Sequence, residues 1–181
     1  MGRLVDWKAV DLLLRAFSQA SREAPMRLWI LGDGAQRGGL EALASQLGIA
    51  GSDAEASGTV HFAGWLAQAD CAERLTRADC LVLPSLLECG GAVVLEAMSM
   101  GKPVIATAWG GPMDYLDPSC GVLVPPDSRE SIVDRFAAAM IEMARSGSLR
   151  RQMGERGLAK VRSQYDWELK VDQILTIYRG V

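Results

Sequence analysis

Two glutamates eight positions apart, Glu88 and Glu96, flank the run Cys89-Gly90-Gly91-Ala92-Val93-Val94-Leu95. A carboxylate accepts two hydrogen bonds and so matches the vicinal hydroxyls of a sugar or a ribose. The run follows an apolar segment, Cys80–Leu83, stopped by Pro84, and it opens a helical segment, Ala92–Met100, closed by Gly101. A helix start presents N–H groups to an anion. Gly90 and Gly91 have no Cβ, so a phosphate can approach the backbone there. Glu88 falls in the loop and Glu96 about one turn inside the helix, so each can reach a different part of one ligand. Neither would bind a phosphate, which needs cations. Arg3 and Lys8, at the head of the first helix, offer a planar fork and a point charge able to neutralise a departing diphosphate. Spacing alone allows them equally to be ordinary surface cations.

The elements that must position these groups follow from periodicity. Val10, Leu13, Leu14 and Phe17 lie on one face of a helix over Ala9–Ala20. Met26–Leu31, Thr59–Ala63, Cys80–Leu83, Pro103–Thr107 and Gly121–Val124 read as short buried strands. Helices are expected at Leu40–Leu47, Ala69–Ala78 and Ala92–Met100, then at Ser131–Ala144, Leu149–Arg162 and Trp167–Tyr178. Asp127 or Ser128 caps the first of the last three, and Gly147 separates it from the second. Gly48–Gly58 reads as an exposed loop. Alternating strands and helices predict an α/β fold, a Rossmann-like parallel sheet with helices on both faces and extra C-terminal helices. Ligands of such sheets bind at the C-terminal ends of the strands, where the glycines and glutamates collect.

Composition narrows the function classes. The 181 residues suffice for one domain, and 49% hydrophobic content supports a full core. A net charge of -3, and basic residues that cluster only modestly, on a helix face at Arg145 to Arg156, argue against nucleic acid as a partner. The longest apolar run, Leu81–Leu87, is too short to cross a membrane. No leader segment is legible. Cys71, Cys80, Cys89 and Cys120 form no metal pattern with His61, the one histidine, and free thiols fit a cytoplasmic protein.

An ordered set of motifs then carries a resemblance. Gly2-Arg3-Leu4 with Lys8, Leu28–Gly34, Val60-His61-Phe62-Ala63-Gly64, Leu81–Ser85, Glu88 and Glu96-Ala97-Met98, Gly101–Ala106, Gly110-Gly111 and Gly121–Val124 follow one another at sensible spacing. Together they resemble the C-terminal donor-binding domain of the family 4 (group 1) glycosyltransferases of the GT-B type, with its E-x7-E motif. The likeness covers nearly the whole chain.

The resemblance implies a retaining, metal-independent transfer of a sugar, of the hexosyltransferase type, from a UDP- or GDP-sugar to an acceptor such as a glycan, a lipid-linked sugar or a small molecule. No separate cofactor is implied. Glu88 would contact sugar hydroxyls, Glu96 the ribose, and Arg3 and Lys8 the diphosphate. Backbone at Gly90, Gly91, Ala92 and Val93 would meet sugar and diphosphate, and Gly64, Trp65 and Leu66 would read the base. Residues 1–181 would form a single nucleotide-sugar-binding domain, its first strand trimmed because Leu4-Val5 is too short for a central strand. An N-terminal acceptor half, with any membrane contact, would lie outside it, leaving the isolated piece inactive. Two departures stand out: Cys89-Gly90-Gly91 replaces a triplet with a central aromatic, and Ala9 follows Lys8 where glycine is common.

Three rivals remain at this level. A dinucleotide-binding dehydrogenase would need glycine where Arg37 follows Gly32-Asp33-Gly34-Ala35-Gln36. A sugar-nucleotide epimerase does not explain the Glu88/Glu96 helix. A non-catalytic nucleotide-sugar-binding or regulatory module would keep the same donor-side groups. His61 reads as structural, Trp29 and Trp167 as packing residues, and Trp65 and Trp109 as either ligand wall or packing. Asp114 and Asp117, near Gly110-Gly111-Pro112, read as solvated loop carboxylates in preference to donor-site groups.

Overall fold

The structure, a computed structural model, describes residues 1–51, 53 and 56–180. The expected loop at Gly48–Gly58 therefore includes Ser52, Ala54 and Glu55, which lie outside the described residues. After an extended start and a 3-10 turn at Asp6–Lys8, the chain alternates helix and strand. The order is α1 (Val10–Glu23), β1 (Leu28–Leu31), α2 (Arg37–Gln46), β2 (Val60–Gly64), α3 (Gln68–Arg77), β3 (Leu81–Leu83), α4 (Ala92–Ser99), β4 (Val104–Thr107), α5 (Gly111–Tyr115) and β5 (Gly121–Val124). Three helices close the chain: α6 (Arg129–Arg145), α7 (Gly147–Lys160), continued by a π-helical turn at Val161–Tyr165, and α8 (Trp167–Arg179).

Every strand pairing is parallel, as the βα alternation predicts. The two faces are told apart by β4, whose four residues are all buried. Ile105 joins a core with Ile30, Val60 and Val124, shared by α1, α2 and α6. Val104 and Ala106 point to the other face and join Leu81, Leu83, Val94 and Met98. This alternation within one strand is the signature of a sheet covered on both sides.

The Rossmann-like arrangement is borne out, with one difference. Instead of a continuous sheet there are two, β1-β2 and β3-β4-β5. The extended residues 2–4 bond to the end of β1 but do not reach β3. The physical reason is that no strand of the described residues pairs with both β1 and β3 to carry the ladder across.

Local chemistry fixes the helix ends. Ser128, not Asp127, caps α6 by accepting from Ser131 N at 3.1 Å. Ser146 caps α7 through Leu149 N at 3.2 Å, so the break between these helices falls at Ser146, and Gly147 is already helical. Asp166 caps α8. Trp167 is not the packing residue expected: it is 77% exposed, and α8 buries none of its residues. Trp29 does pack, with its ring centroid 4.3 Å from that of His61 and the Arg74 guanidinium carbon over its ring, 4.0 Å from the centroid.

Two outcomes test this packing. Phe136 of α6 is fully buried with Phe17 of α1 in the larger core. Phe136→Ala is expected to lower unfolding free energy by about 3–5 kcal/mol in denaturant titration. Lys160 at the end of α7 bonds Asp117 at 2.7 Å, between α5 and β5, and with the Ser119 donors holds that carboxyl at about 2 instead of 3.8. A depressed carboxyl stabilises the fold above the unfolded value and loses that contribution as pH falls from about 4 to about 2. Asp117→Asn should cost about 1 kcal/mol at pH 7, allowing for solvent screening of the half-exposed carboxylate, and should flatten stability across that acid window.

Candidate functional site

The loops that follow β1, β2, β3 and β4 all leave from the C-terminal edge of the sheets, and the candidate residues lie there. Residues 2–8 tie this edge together. Gly2 N donates to Leu31 O and Leu4 N to Asp33 O, both at 2.9 Å, while Gln36 N returns a bond to Leu4 O. Gly32 N donates to Gly64 O at 2.8 Å, joining the ends of β1 and β2. On the other side Leu86 N donates to Trp7 O at 2.8 Å, bringing in the loop after β3.

Lys8 and Glu88 meet across this strap. Lys8 Nζ donates to Glu88 Oε2 at 2.5 Å, between side chains that are 23% and 14% exposed. The contact links residues 80 apart in sequence. Lys8 is presented by the 3-10 turn, and Ala9 after it takes a left-handed conformation with φ 47°, the one described non-glycine residue with positive φ. L-residues find this region unfavourable by about 1–2 kcal/mol, so holding Lys8 here carries a strain that glycine would lack. Arg3, by contrast, is exposed and has no ion-pair partner among the described residues.

Glu88 sits beside the N-terminus of α4. Gly91 takes a left-handed conformation as the residue preceding the helix, and no side chain caps it. The amides of Ala92 and Val93 lie in the first turn, where an α-helix has no internal acceptors for them. Glu96 is on the same helix, exposed, and makes no side-chain hydrogen bond among the described residues. The Met1 amine is lowered from its ordinary value, chiefly by burial, against the opposing pull of several charges that include Glu96 and Glu88. Gly64 ends β2, followed by Trp65, which is 77% exposed, and by Leu66, whose carbonyl accepts from Cys71 Sγ. These three share the edge with Glu88, and among the described residues no hydrogen bond joins them to it.

The structure gives one motif pair a role that the sequence left open, and adds one further group. The turn Gly110-Gly111 opens α5 directly under the Glu88–Gly91 loop, and Gly111 N donates to Cys89 O at 3.0 Å. A Cβ on Gly110 would lie 1.8 Å from Glu88 O, and one on Gly111 2.0 Å from Gly90 O. Only glycine permits this backbone contact, so the pair sets the height of the loop that carries Glu88. Arg37 is the added group. It bonds Asp33 at 3.1 Å and Glu41 at 2.8 Å, and stands beside Gly64. Asp33 is lowered below the usual carboxylate range by the Gly34 amide first and by Arg37 second. Tyr165 donates to Asp114 O, which makes the Asp114 backbone a packing contact. No group of three or more metal-ligating side chains occurs among the described residues, and no helix is long and apolar enough to cross a membrane.

A helix N-terminus at the C-terminal edge of a parallel α/β sheet is where phosphorylated ligands of such folds commonly bind, and here a carboxylate and a lysine stand beside it. Residues 1–160 match the family described as glycosyl transferases group 1, and the chain belongs to that family. It is 34% identical over 178 residues to the lipopolysaccharide core biosynthesis glycosyltransferase LpsE of Rhizobium meliloti, covering 98% of this chain and 48% of that one. It is 31% identical to a GDP-mannose-dependent monoacylated alpha-(1-6)-phosphatidylinositol monomannoside mannosyltransferase of Corynebacterium glutamicum, covering 98% and 45%. Among solved structures it resembles the C-terminal domain of a glycosyl transferase group 1 family protein, LpcC, of Francisella tularensis. That likeness has 25% identity and a TM-score of 0.75 over 92% of this chain and 84% of that one. The chain thus spans about half the length of the curated relatives it matches.

Gly110→Ala tests the loop support. It should cost about 2–4 kcal/mol of stability, because a Cβ overlaps backbone rather than a yielding side chain, and φ is +59° there. Thermal unfolding of the variant is the measurement. An unchanged midpoint would show that the loop is not held by this contact.

Proposed function

We propose that this chain is the donor-binding side of a retaining glycosyltransferase that takes its sugar from a UDP- or GDP-sugar without a metal ion. The observation that carries the reading is the Lys8–Glu88 pair beside the uncapped start of α4, in a chain of the group 1 family. In this reading Lys8 and Arg3 take the diphosphate, the leaving group whose growing charge must be neutralised. The amides at Gly90, Gly91, Ala92 and Val93 meet the same group and the sugar. Glu88 turns to sugar hydroxyls, Glu96 holds the ribose diol, and Gly64, Trp65 and Leu66 border the base. The acceptor and the remaining walls of the cleft come from outside these residues, in keeping with relatives about twice this length. The GDP-mannose dependence named for the Corynebacterium relative supports a nucleotide sugar as donor, and it keeps GDP beside UDP as the nucleotide.

Thermal unfolding with UDP, GDP and their hexose conjugates, each with and without EDTA, tests this. A nucleotide present at about a hundred times its dissociation constant should stabilise the chain by about 2.7 kcal/mol, or roughly 5–10 °C. EDTA should leave the shift unchanged. Glu96→Ala should weaken binding about 10- to 100-fold through loss of a charged hydrogen bond. A folded chain that none of these ligands shifts would overturn the donor-site reading, whereas an undiminished shift in Glu96→Ala would remove only the ribose assignment.

A further inference from the structure

Arg37 opens α2 just past the turn that ends β1, and its side chain lies against the end of β2. A Cβ on Gly64 would stand 3.0 Å from Arg37 Nη1. Chain neighbours aside, no described residue other than Arg37 comes within 4 Å of that position. The bare Cα of Gly64, at φ 72°, therefore gives the guanidinium a seat on the backbone where β2 passes into residues 65–67.

The fork is held in one orientation there. Arg37 Nε donates to Glu41 at 2.8 Å and Nη1 to Asp33 at 3.1 Å. Asp33 is itself anchored, since it accepts from the Gly34 amide at 2.7 Å. Ion pairs this exposed add little stability, which leaves alignment of the guanidinium as their main effect. A guanidinium carries five N–H donors, and these two bonds leave both of those on Nη2 without a protein acceptor among the described residues. Beside this fork stands Trp65, 77% exposed and without a ring partner among the described residues.

An indole face and a planar fork make different demands on a nucleotide. Stacking tolerates any base, whereas hydrogen bonds to the base edge tell one base from another. Guanine presents two adjacent acceptors, O6 and N7, at the spacing a guanidinium matches with two parallel bonds. Adenine sets an amino donor beside N7, which opposes the fork. Uracil has no second acceptor beside O4, so it takes one bond where guanine takes two.

We propose that Arg37 is a base-reading residue: it meets O6 and N7 of a guanine stacked on Trp65, so that the donor is a GDP-sugar and not a UDP- or ADP-sugar. The role requires the nucleotide to lie across Gly64 and Trp65, and so it rests on the donor-site reading. Asp33 and Glu41 are then positioning residues, which act through Arg37.

Equilibrium titration with five diphosphates, those of guanosine, inosine, 7-deazaguanosine, uridine and adenosine, tests the assignment. Inosine keeps O6 and N7 and lacks only the 2-amino group, whereas 7-deazaguanosine keeps O6 and loses the N7 acceptor. Guanosine and inosine diphosphates should bind alike, the 7-deaza compound about fivefold more weakly, and UDP and ADP about 10- to 100-fold more weakly. Arg37→Met keeps the apolar stem and should bring GDP to within about threefold of UDP, with the thermal midpoint little changed. Arg37→Lys should not restore the preference, because a point charge lacks the fork. Equal binding of GDP and UDP by the unaltered chain would overturn the assignment and leave the donor site standing. So would full binding of the 7-deaza compound. A uniform loss across all five ligands in Arg37→Met is what a merely structural arginine predicts, and it would overturn the assignment too. Binding of none of the five by the folded chain would overturn the donor site and the base reader together. The analogue series on the unaltered chain decides the matter even where a variant does not fold.

Discussion

The edge on which the candidate site stands is assembled by backbone hydrogen bonds of a seven-residue strap. Residues 2–8 bond to the turn after β1 and to the loop after β3, elements of two different sheets. These bonds join peptide groups, not side chains, so they place the strap without regard to most of its sequence. They also deliver Lys8 to a carboxylate that enters the fold 80 residues later. Without the strap, Glu88 would face solvent on a loop held only from below.

The support from below is of the same kind. Gly110 and Gly111 lie so close to the carbonyls of Glu88 and Gly90 that any side chain would overlap them. The loop is thus clamped between two stretches of bare backbone, one before α1 and one opening α5. Neither stretch carries much of a core. They depend on α1 and α6, whose packing around Phe17 and Phe136 fixes where α1, and with it the strap, begins.

Much of this was legible in the residues. The helix periodicity of Val10, Leu13, Leu14 and Phe17 and the apolar runs at Leu28–Leu31 and Leu81–Leu83 placed the elements within a few residues, because burial on one or both faces leaves a mark in composition. The edge as a gathering place for Glu88, Gly91 and Lys8 followed from parallel topology. What stayed hidden was long-range. The Lys8–Glu88 contact, the glycine clamp and the short α5 arise from chain crossings that leave no period. The exposure of Trp167 was misjudged for a related reason. Its apolar helix has a hydrophobic pattern but nothing within these residues to pack on, and a pattern does not say what covers it. The division of the sheet was foreseen only as the lack of an opening strand, not as two bodies with facing edges.

The Lys8–Glu88 pair has a consequence for how a ligand would be received. At 2.5 Å the two charges largely cancel at a distance, and Arg37 is likewise matched by Asp33 and Glu41. The two pairs therefore add little long-range steering of an anion, which leaves that to the exposed Arg3, and recognition at Lys8 begins as an exchange of partners at contact range. A group that claims Lys8 has to displace Glu88, and the displaced carboxylate is then free to accept from hydroxyls on the same molecule. A ligand bearing both an anionic and a hydroxylated part satisfies both ends of the broken pair. One bearing only the anion leaves a half-buried carboxylate stranded, so the pair discriminates before any specific pocket is reached.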